Sequence, residues 1–159
     1  MVIVEEMLAA ANALNQAGLD YAICGGFAVI IHGYSRLTKD IDFLVHPNDV
    51  ERIVVELAKL GFDEDTGTIV FRDDANEPQP VRRVVKFSGN SYLIIDLIHV
   101  TPKLSNVWET RQPKDYEGGQ LTTVSLEGLR IMKMRAGRTQ DLLDIQKLEQ
   151  AHEEPMDEP

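Results

Sequence analysis

The chain has 159 residues, of which 43% are apolar and 26% are charged. These values are typical of one globular domain and exclude wholesale disorder, a collagen-like repeat and a disulfide scaffold. The net charge of −10 disfavours tight nonspecific binding to nucleic acid but is compatible with a local basic cleft. No apolar run approaches the roughly 18 residues of a membrane span, and the acidic N-terminus is unlike an export signal. The single cysteine, Cys24, cannot form an internal disulfide, so we expect a cytoplasmic protein. Because the sequence lacks a long apolar run, we expect no membrane partner.

The hydrophobic pattern predicts an α/β (α+β) domain in which a small mixed β-sheet is flanked by helices. A C-terminal helical pair over residues 125–151 closes one side of a single domain that spans residues 1–151. Residues 152–159 are acidic, contain proline and lack aromatic side chains, so we expect a disordered tail. In chain order the predicted elements are a helix over Ile3–Ala17, a strand over Tyr21–Cys24, a helix over Phe27–His32, a strand over Asp40–Val45, a helix ending at Leu60, strands over Thr68–Phe71, Arg83–Phe87 and Tyr92–Val100, a mobile turn over Asp73–Pro80, and helices over Ser125–Ala136 and Thr139–Ala151.

Three aspartates are the most informative candidates for chemistry. Asp40 and Asp42 are two apart on a predicted strand, so they point to the same face and repel each other unless a cation lies between them. Their oxygen ligands suit Mg²⁺ or Mn²⁺. Asp96 is the one charge in the apolar run LIIDLI, and if its strand neighbours the first, the three carboxylates could hold two metal ions for attack at phosphorus. Taken singly, such acids are more often solvated or paired with arginine.

Gly25 and Gly26 lie between a predicted strand and a predicted helix. Glycine lets the backbone approach a ligand closely, and the N–H groups that open a helix favour phosphate. The alternative is a tight strand-to-helix turn without a ligand. Neither the G-x-G-x-x-G nor the Walker pattern is present.

Basic residues precede the first acid and recur near the C-terminus. Arg36 and Thr38, with the neighbouring Lys39, could contact phosphate or simply balance the carboxylates. Lys133 lies before the junction of the last two helices. Arg138, at that junction, could form only a local ion pair with Asp141, which is three residues on along a helix.

These segments, taken in order, resemble the signature of the DNA polymerase β-like nucleotidyltransferases, in which hG[G/S] is followed by Dh[D/E]h and a distant third acid (h, hydrophobic). Gly26 stands where many members of that superfamily have serine. The stretch RLTKDID, residues 36–42, is similar to the small bacterial abortive-infection (AbiEii-type) branch, many of whose members are toxins of toxin–antitoxin pairs. The segment from Lys133 to Ile145 also resembles that branch, and the likeness runs from about Leu8 to Leu148.

The resemblance implies a nucleotidyltransferase fold and a role for each candidate residue. Asp40 and Asp42 would bind both metal ions, Mg²⁺ or Mn²⁺, while Asp96 would bind the catalytic ion and help deprotonate an acceptor hydroxyl. The triphosphate of a nucleoside triphosphate such as ATP would lie on Gly25 and Gly26. Lys133 would contact the triphosphate from the helical side. Arg36 and Thr38 are weaker candidates for the same contact. The implied reaction moves a nucleoside monophosphate to the acceptor and releases pyrophosphate.

Two alternatives stay open from the sequence. The first is a nucleotide- or partner-binding module that has kept the fold without turnover, and the second is a metal-dependent nuclease that uses the same acids. The acceptor could be a tRNA end, a protein or a small molecule, and an antitoxin protein is a possible partner. A distance above about 10 Å between Asp42 and Asp96 would exclude the transferase, because metal ligands lie about 2.0–2.6 Å from the ion.

Overall fold

A seven-stranded mixed sheet organises the computed structural model, which describes residues 1–153. The strand order is β3-β4-β5-β2-β1-β7-β6, with parallel pairing between β2 and β5 and between β1 and β7, and antiparallel pairing elsewhere. The mixed sheet flanked by helices and the C-terminal helical pair confirm the predicted fold class. The elements are α1 (Ile3–Gln16), β1 (Ala22–Cys24), α2 (Gly25–Ile31), β2 (Asp40–Val45), α3 (Val50–Ala58), β3 (Glu64–Arg72), β4 (Pro78–Ser88), β5 (Ser91–His99), α4 (Ser105–Glu109), β6 (Gln112–Tyr116), β7 (Gly119–Thr123), α5 (Leu126–Ala136) and α6 (Thr139–Glu153).

The core forms from one face of the central strands and the apolar stripe of the helices. Strand alternation sends Ile41 and Phe43 of β2 to the same side, where both side chains are fully buried. α1 buries four residues at the i, i+3, i+4, i+7 spacing of an amphipathic helix, namely Met7, Ala10, Ala11 and Leu14. Burial of a large side chain such as that of Met7 or Leu14 contributes about 1.5–3 kcal/mol to the free energy of unfolding.

Two parts of the sheet differ from the sequence-based expectation. The hairpin formed by β6 and β7 was not predicted, because β6 buries none of its side chains and lacks an apolar alternation. The segment Asp73–Pro80 is not wholly a turn, since β4 begins at Pro78. Pro78 and Pro80 pair with β3 only, and pairing with β5 begins at Val81. Proline is tolerated there because this stretch of β4 has one free edge.

The C-terminal helices begin and end through local signals. The hydroxyl of Ser125 accepts a hydrogen bond from the Gly128 N–H at 2.9 Å and caps α5. Gly137, with φ of 64°, ends α5 in the left-handed conformation that glycine adopts easily. α6 continues to Glu153, two residues past its predicted end, and the remaining residues of the predicted tail, 154–159, lie outside the described part of the chain. Within residues 1–153, none of the helices combines the length and apolar character that crossing a bilayer requires.

Asp73 ties the β3–β4 turn to the end of α5. Its carboxylate accepts hydrogen bonds from the backbone N–H groups of Ala75 at 2.9 Å and Glu77 at 2.8 Å. The Arg135 guanidinium donates to the same carboxylate at 2.9 Å. The hydrogen bond from Glu77 and, after an opposing effect of burial, the one from Arg135 lower the pKa of Asp73 to about 2. This carboxylate therefore holds α5 at the edge of the sheet.

We expect Asp73→Asn to lower the free energy of unfolding at neutral pH. The free energy of unfolding of the variant should also fall less steeply as the pH is lowered. An aspartate in an unfolded chain titrates near 3.9. The depressed native pKa therefore stabilises the fold fully above about pH 5, and this stabilisation is lost as the pH falls toward 2. Urea denaturation at several pH values from about 6 to 3 measures the effect.

The matched control is Asp74→Asn, because Asp74 is the exposed neighbour whose carboxylate forms no hydrogen bond with the described part of the chain. We expect Asp74→Asn to follow the wild-type pH dependence. An Asp73→Asn variant that loses stability on acidification as steeply as the wild type would contradict this account.

Candidate active site

The register of the sheet brings the three predicted aspartates together. β2 and β5 are parallel neighbours, and Asp42 lies directly opposite Asp96. Neighbouring strands are about 4.8 Å apart, well within the 10 Å limit set above. Asp40, two residues before Asp42, points to the same face, which is opposite to the face that buries Ile41 and Phe43.

The electrostatics of this cluster fit a divalent cation. Burial, together with the negative charges of Asp96 and Asp40, raises the pKa of Asp42 to about 7. The charges of Asp96 and Asp40 therefore oppose ionisation of Asp42 near neutral pH. A cation would relieve this repulsion, and an all-carboxylate donor set suits Mg²⁺ or Mn²⁺.

Asp96 has an arginine partner that the sequence did not reveal. Arg83 of β4 lies opposite Asp96 and donates from Nε to Oδ1 at 2.8 Å and from Nη2 to Oδ2 at 3.0 Å. Both oxygens of Asp96 are thus engaged, and within residues 1–153 no three acidic, histidine or cysteine side chains are arranged as ligands of one metal ion. The aspartates fit a metal by chemistry and charge, and the oxygens of Asp96 would be shared between Arg83 and the metal ion.

The glycine turn packs directly on the aspartates. Cys24, the last residue of β1, pairs with Asp42, so Gly25 begins α2 beside that carboxylate. Gly25 has φ of 64°, and a Cβ atom there would lie 2.0 Å from Oδ2 of Asp42. A Cβ atom on Gly26 would lie 2.6 Å from Oγ1 of Thr38. Glycine is therefore required at position 25, where both the positive φ and Asp42 exclude a side chain. A side chain at position 26 would have to displace Thr38.

α2 has only seven residues. A phosphate at this turn would consequently be held by individual backbone N–H groups and not by the macrodipole of a long helix. The Thr38 hydroxyl and the Arg36 guanidinium lie over the same turn, since Nη2 of Arg36 is 3.4 Å from the Cβ position on Gly26.

One cavity of about 730 Å³ contains all of these groups. Its lining also includes apolar side chains, with Val81 and Ile98 on strands and Leu104, Leu129 and Met132 from the segments of residues 102–136. The catalytic candidates and these apolar side chains therefore line one cavity. The predicted site residues that line it are Gly25, Gly26, Arg36, Thr38, Asp40, Asp42, Asp96 and Lys133.

Lys133 is buried at the wall of this cavity between two carboxylates of α6. Its Nζ is 3.2 Å from Oδ1 of Asp141 and 2.9 Å from Oδ2 of Asp144. Arg138 does pair with Asp141, with Nε 2.7 Å from Oδ2, but the pair is part of this larger cluster. The contact of Asp144 with Arg36 was not predicted from the sequence, because it joins residues 108 positions apart in the chain.

We expect Gly25→Ala to destabilise the protein by more than Gly18→Ala. Both glycines have positive φ, 64° and 69°, and the left-handed conformation costs alanine about 1–2 kcal/mol. A Cβ atom on Gly18 meets nothing within 4 Å, so Gly18→Ala isolates the backbone strain, whereas Gly25→Ala also collides with Asp42. Urea denaturation of both variants measures the difference.

A double-mutant cycle assigns that difference to Asp42. Adding Asp42→Ala to Gly25→Ala removes the colliding carboxylate, so the double variant should be more stable than the sum of the single changes indicates. Strictly additive free energies of unfolding would show that the collision is not the cause.

Three solved structures share this fold at low sequence identity. A candidate nucleotidyltransferase from Thermotoga maritima matches with a TM-score of 0.57 and 12% identity, covering 91% of this chain and 89% of that one. The antibiotic-resistance factor ANT(2″)-Ia in solution matches with a TM-score of 0.60 and 12% identity over 96% and 86% of the two chains. A crystal structure of ANT(2″)-Ia in complex with adenylyl-2″-tobramycin gives 0.56 and 14% over 94% and 87%.

No curated protein shows significant sequence similarity to this chain. A family profile does match, and it covers residues 3–153, which include every element of the sheet and all of the candidate site residues. The family is described as a nucleotidyltransferase of unknown function, DUF6036. The chain therefore belongs to the DUF6036 family of nucleotidyltransferases.

Proposed function

We propose that this protein transfers a nucleoside monophosphate from a nucleoside triphosphate to an acceptor hydroxyl and releases pyrophosphate. The observation that carries the proposal is the placement of Asp42 opposite Asp96 and against the Gly25 turn. Membership of a nucleotidyltransferase family supports the reaction class. The cavity of about 730 Å³ offers space beside the aspartates for both a nucleotide and part of an acceptor.

The proposed residues form two groups, one for the triphosphate and one for the metal ions. The backbone N–H groups at Gly25 and Gly26, with Thr38, Arg36 and Lys133, bind and orient the triphosphate. Asp40, Asp42 and Asp96 would hold two Mg²⁺ or Mn²⁺ ions, which when bound supply charge stabilisation at the reacting phosphate and the leaving group. This assignment is supported by the charges of Asp96 and Asp40, which, after burial, raise the pKa of Asp42.

Asp96 also takes the proton from the acceptor hydroxyl. The freed oxygen forms a bond to the α-phosphorus while the bond from that phosphorus to the bridging oxygen breaks, and pyrophosphate leaves with the electron pair. The support for this role is that Asp96 lines the cavity opposite Asp42, within the same carboxylate cluster.

The binding module without turnover is the second candidate, and one observation favours it. Arg83 donates to both oxygens of Asp96, so the third acid already has a cation partner within the protein, which competes with its use as a base. A binding module would take up nucleoside triphosphate in the cavity without releasing pyrophosphate. The chemical assay below separates the two functions.

We further propose that the chain lies in the abortive-infection-type branch and acts as the toxin of a pair with an antitoxin protein. The support is the motif from Arg36 to Asp42 and the motif from Lys133 to Ile145. Induced expression in bacteria without a partner should slow growth, and Asp42→Asn should relieve it. Normal growth with the wild-type protein at a confirmed expression level would contradict the toxin role.

A label-transfer assay tests the enzymatic proposal. The protein is incubated with Mg²⁺ or Mn²⁺ and each α-labelled nucleoside triphosphate, with RNA, protein extract or small hydroxyl compounds as acceptor. We expect transfer from one nucleotide to one acceptor class, its loss in Asp42→Asn, and a decrease of about 10²- to 10⁴-fold in Asp96→Asn, the usual contribution of a positioned base.

The matched control for this assay is Asp115→Asn, which changes an exposed acid on the edge strand β6. It should retain the wild-type rate. Pyrophosphate release that survives Asp42→Asn would contradict the proposed site, and nucleotide binding without pyrophosphate release under any condition would favour the binding module.

A further inference from the structure

Two carboxylates of α6 are among the most deeply buried charges in the described chain. Asp141 is 2% exposed and Asp144 is not exposed at all. Buried carboxylates need partners, because an isolated charge in the interior is strongly unfavourable. Here the partners are cations from three other places in the chain: Arg36 from the segment before β2, Lys133 from α5 and Arg138 from the junction between α5 and α6.

Asp144 is the centre of this cluster. Its Oδ2 accepts from Nη1 of Arg36 at 2.5 Å and lies 2.9 Å from Nζ of Lys133. Its Oδ1 accepts from the side chain of Gln140 at 2.8 Å, so both oxygens are fixed in direction. The pair of Arg36 and Asp144 joins residues that are 108 positions apart in the chain. Asp144 therefore sets the position of a loop cation and a helix cation at once.

Asp141 completes the cluster from the next turn of α6. It accepts from Nε of Arg138 at 2.7 Å and lies 3.2 Å from Lys133, and its Oδ2 also accepts from the backbone N–H of Arg138 at 3.2 Å. Burial alone would raise the pKa of both acids, but the hydrogen bonds from Arg138 to Asp141 and from Lys133 to Asp144 outweigh it and lower both pKa values. Both acids are therefore ionised at neutral pH.

The cluster keeps a positive excess that faces the candidate site. It contains three cations and two carboxylates, so one positive charge is left unbalanced within it. Arg36, Lys133 and Arg138 all line the cavity that contains the glycine turn. Their charges also reach the carboxylate cluster, since Lys133 and Arg138 oppose the rise in the pKa of Asp42 that burial and the neighbouring acids cause.

We propose that Asp144 and Asp141 are positioning residues that hold Arg36, Lys133 and Arg138 in place for the triphosphate. This inference rests on the proposed function, because the proposed function identifies the triphosphate as the anion that these cations bind. Lysine and arginine side chains lose much rotamer freedom when they bind an anion, which lowers affinity. Side chains that α6 already holds in place have lost this freedom before binding, so the entropic cost of binding the triphosphate is smaller. The rival explanation is that the two acids only fasten α6 to α5.

The experiment compares nucleotide binding with turnover in Asp144→Asn. Phosphate contacts made in both the ground state and the transition state change KM and leave kcat nearly constant. We therefore expect KM for the nucleoside triphosphate, and the Kd of a non-hydrolysable analogue measured by calorimetry with Mg²⁺, to rise by at least about 10-fold, with a smaller change in kcat.

The matched control is Glu149→Gln. Glu149 also lies on α6 and joins it to α5 through Arg130 at 2.8 Å, but neither residue lines the cavity. This variant should keep the wild-type KM and Kd even where its melting temperature falls. If Asp144→Asn binds the analogue as tightly as Glu149→Gln does, the two acids only fasten the helix and the proposal is overturned.

Gln140→Ala keeps the test possible if Asp144→Asn does not fold. Gln140 is exposed and orients Asp144 without being a buried charge, so its loss should raise KM and Kd by about three-fold while the protein stays folded. Unchanged values in a folded Gln140→Ala variant would count against positioning. A wild-type protein that neither binds the analogue nor transfers label overturns the proposed function itself, a result that differs from failure of the positioning role alone.

Discussion

Repulsion among three carboxylates on one sheet face is the constraint to which the surrounding structure responds. The parallel register of β2 and β5 fixes Asp42 opposite Asp96, and burial strengthens the interaction by removing water that would screen it. Side chains of opposite charge surround the cluster: Arg83 binds Asp96, while Lys133 and Arg138 act on Asp42 from the helices. The site is in this sense an arrangement of charges that a sheet and two helices hold in place.

This arrangement reconciles a strongly acidic chain with a site for an anion. The net charge of −10 belongs to the whole molecule, but field strength in a cleft depends on the groups that line it. Of the two acids of α6, Asp144 is buried behind the cations, while Asp141 reaches the cavity wall and is held there by Lys133 and Arg138. Two acids face three cations, so they order the positive groups without fully cancelling them. The Asp73 contact to Arg135 works in the same way within the last turn of α5, which also contains Lys133.

The sequence predicted the parts of the site that depend on local pattern. The two-residue spacing of Asp40 and Asp42 and the single acid in an apolar strand were sufficient to predict a shared face, and the fold class followed from the order of elements. Arg83 was missed because its partner is set by strand register. Asp144 was missed because its contact with Arg36 spans 108 positions. The β6–β7 hairpin was missed because it buries too little apolar surface to show an alternation.

The long sequence separation of Arg36 and Asp144 has a consequence for synthesis. α6 leaves the ribosome after every other element described here, because it is C-terminal to all of them. Until it folds back, the sheet carries its aspartates and glycine turn, but the cations on the helical side have no carboxylates to order them. The site is complete only once α6 has folded back against Arg36 and Lys133.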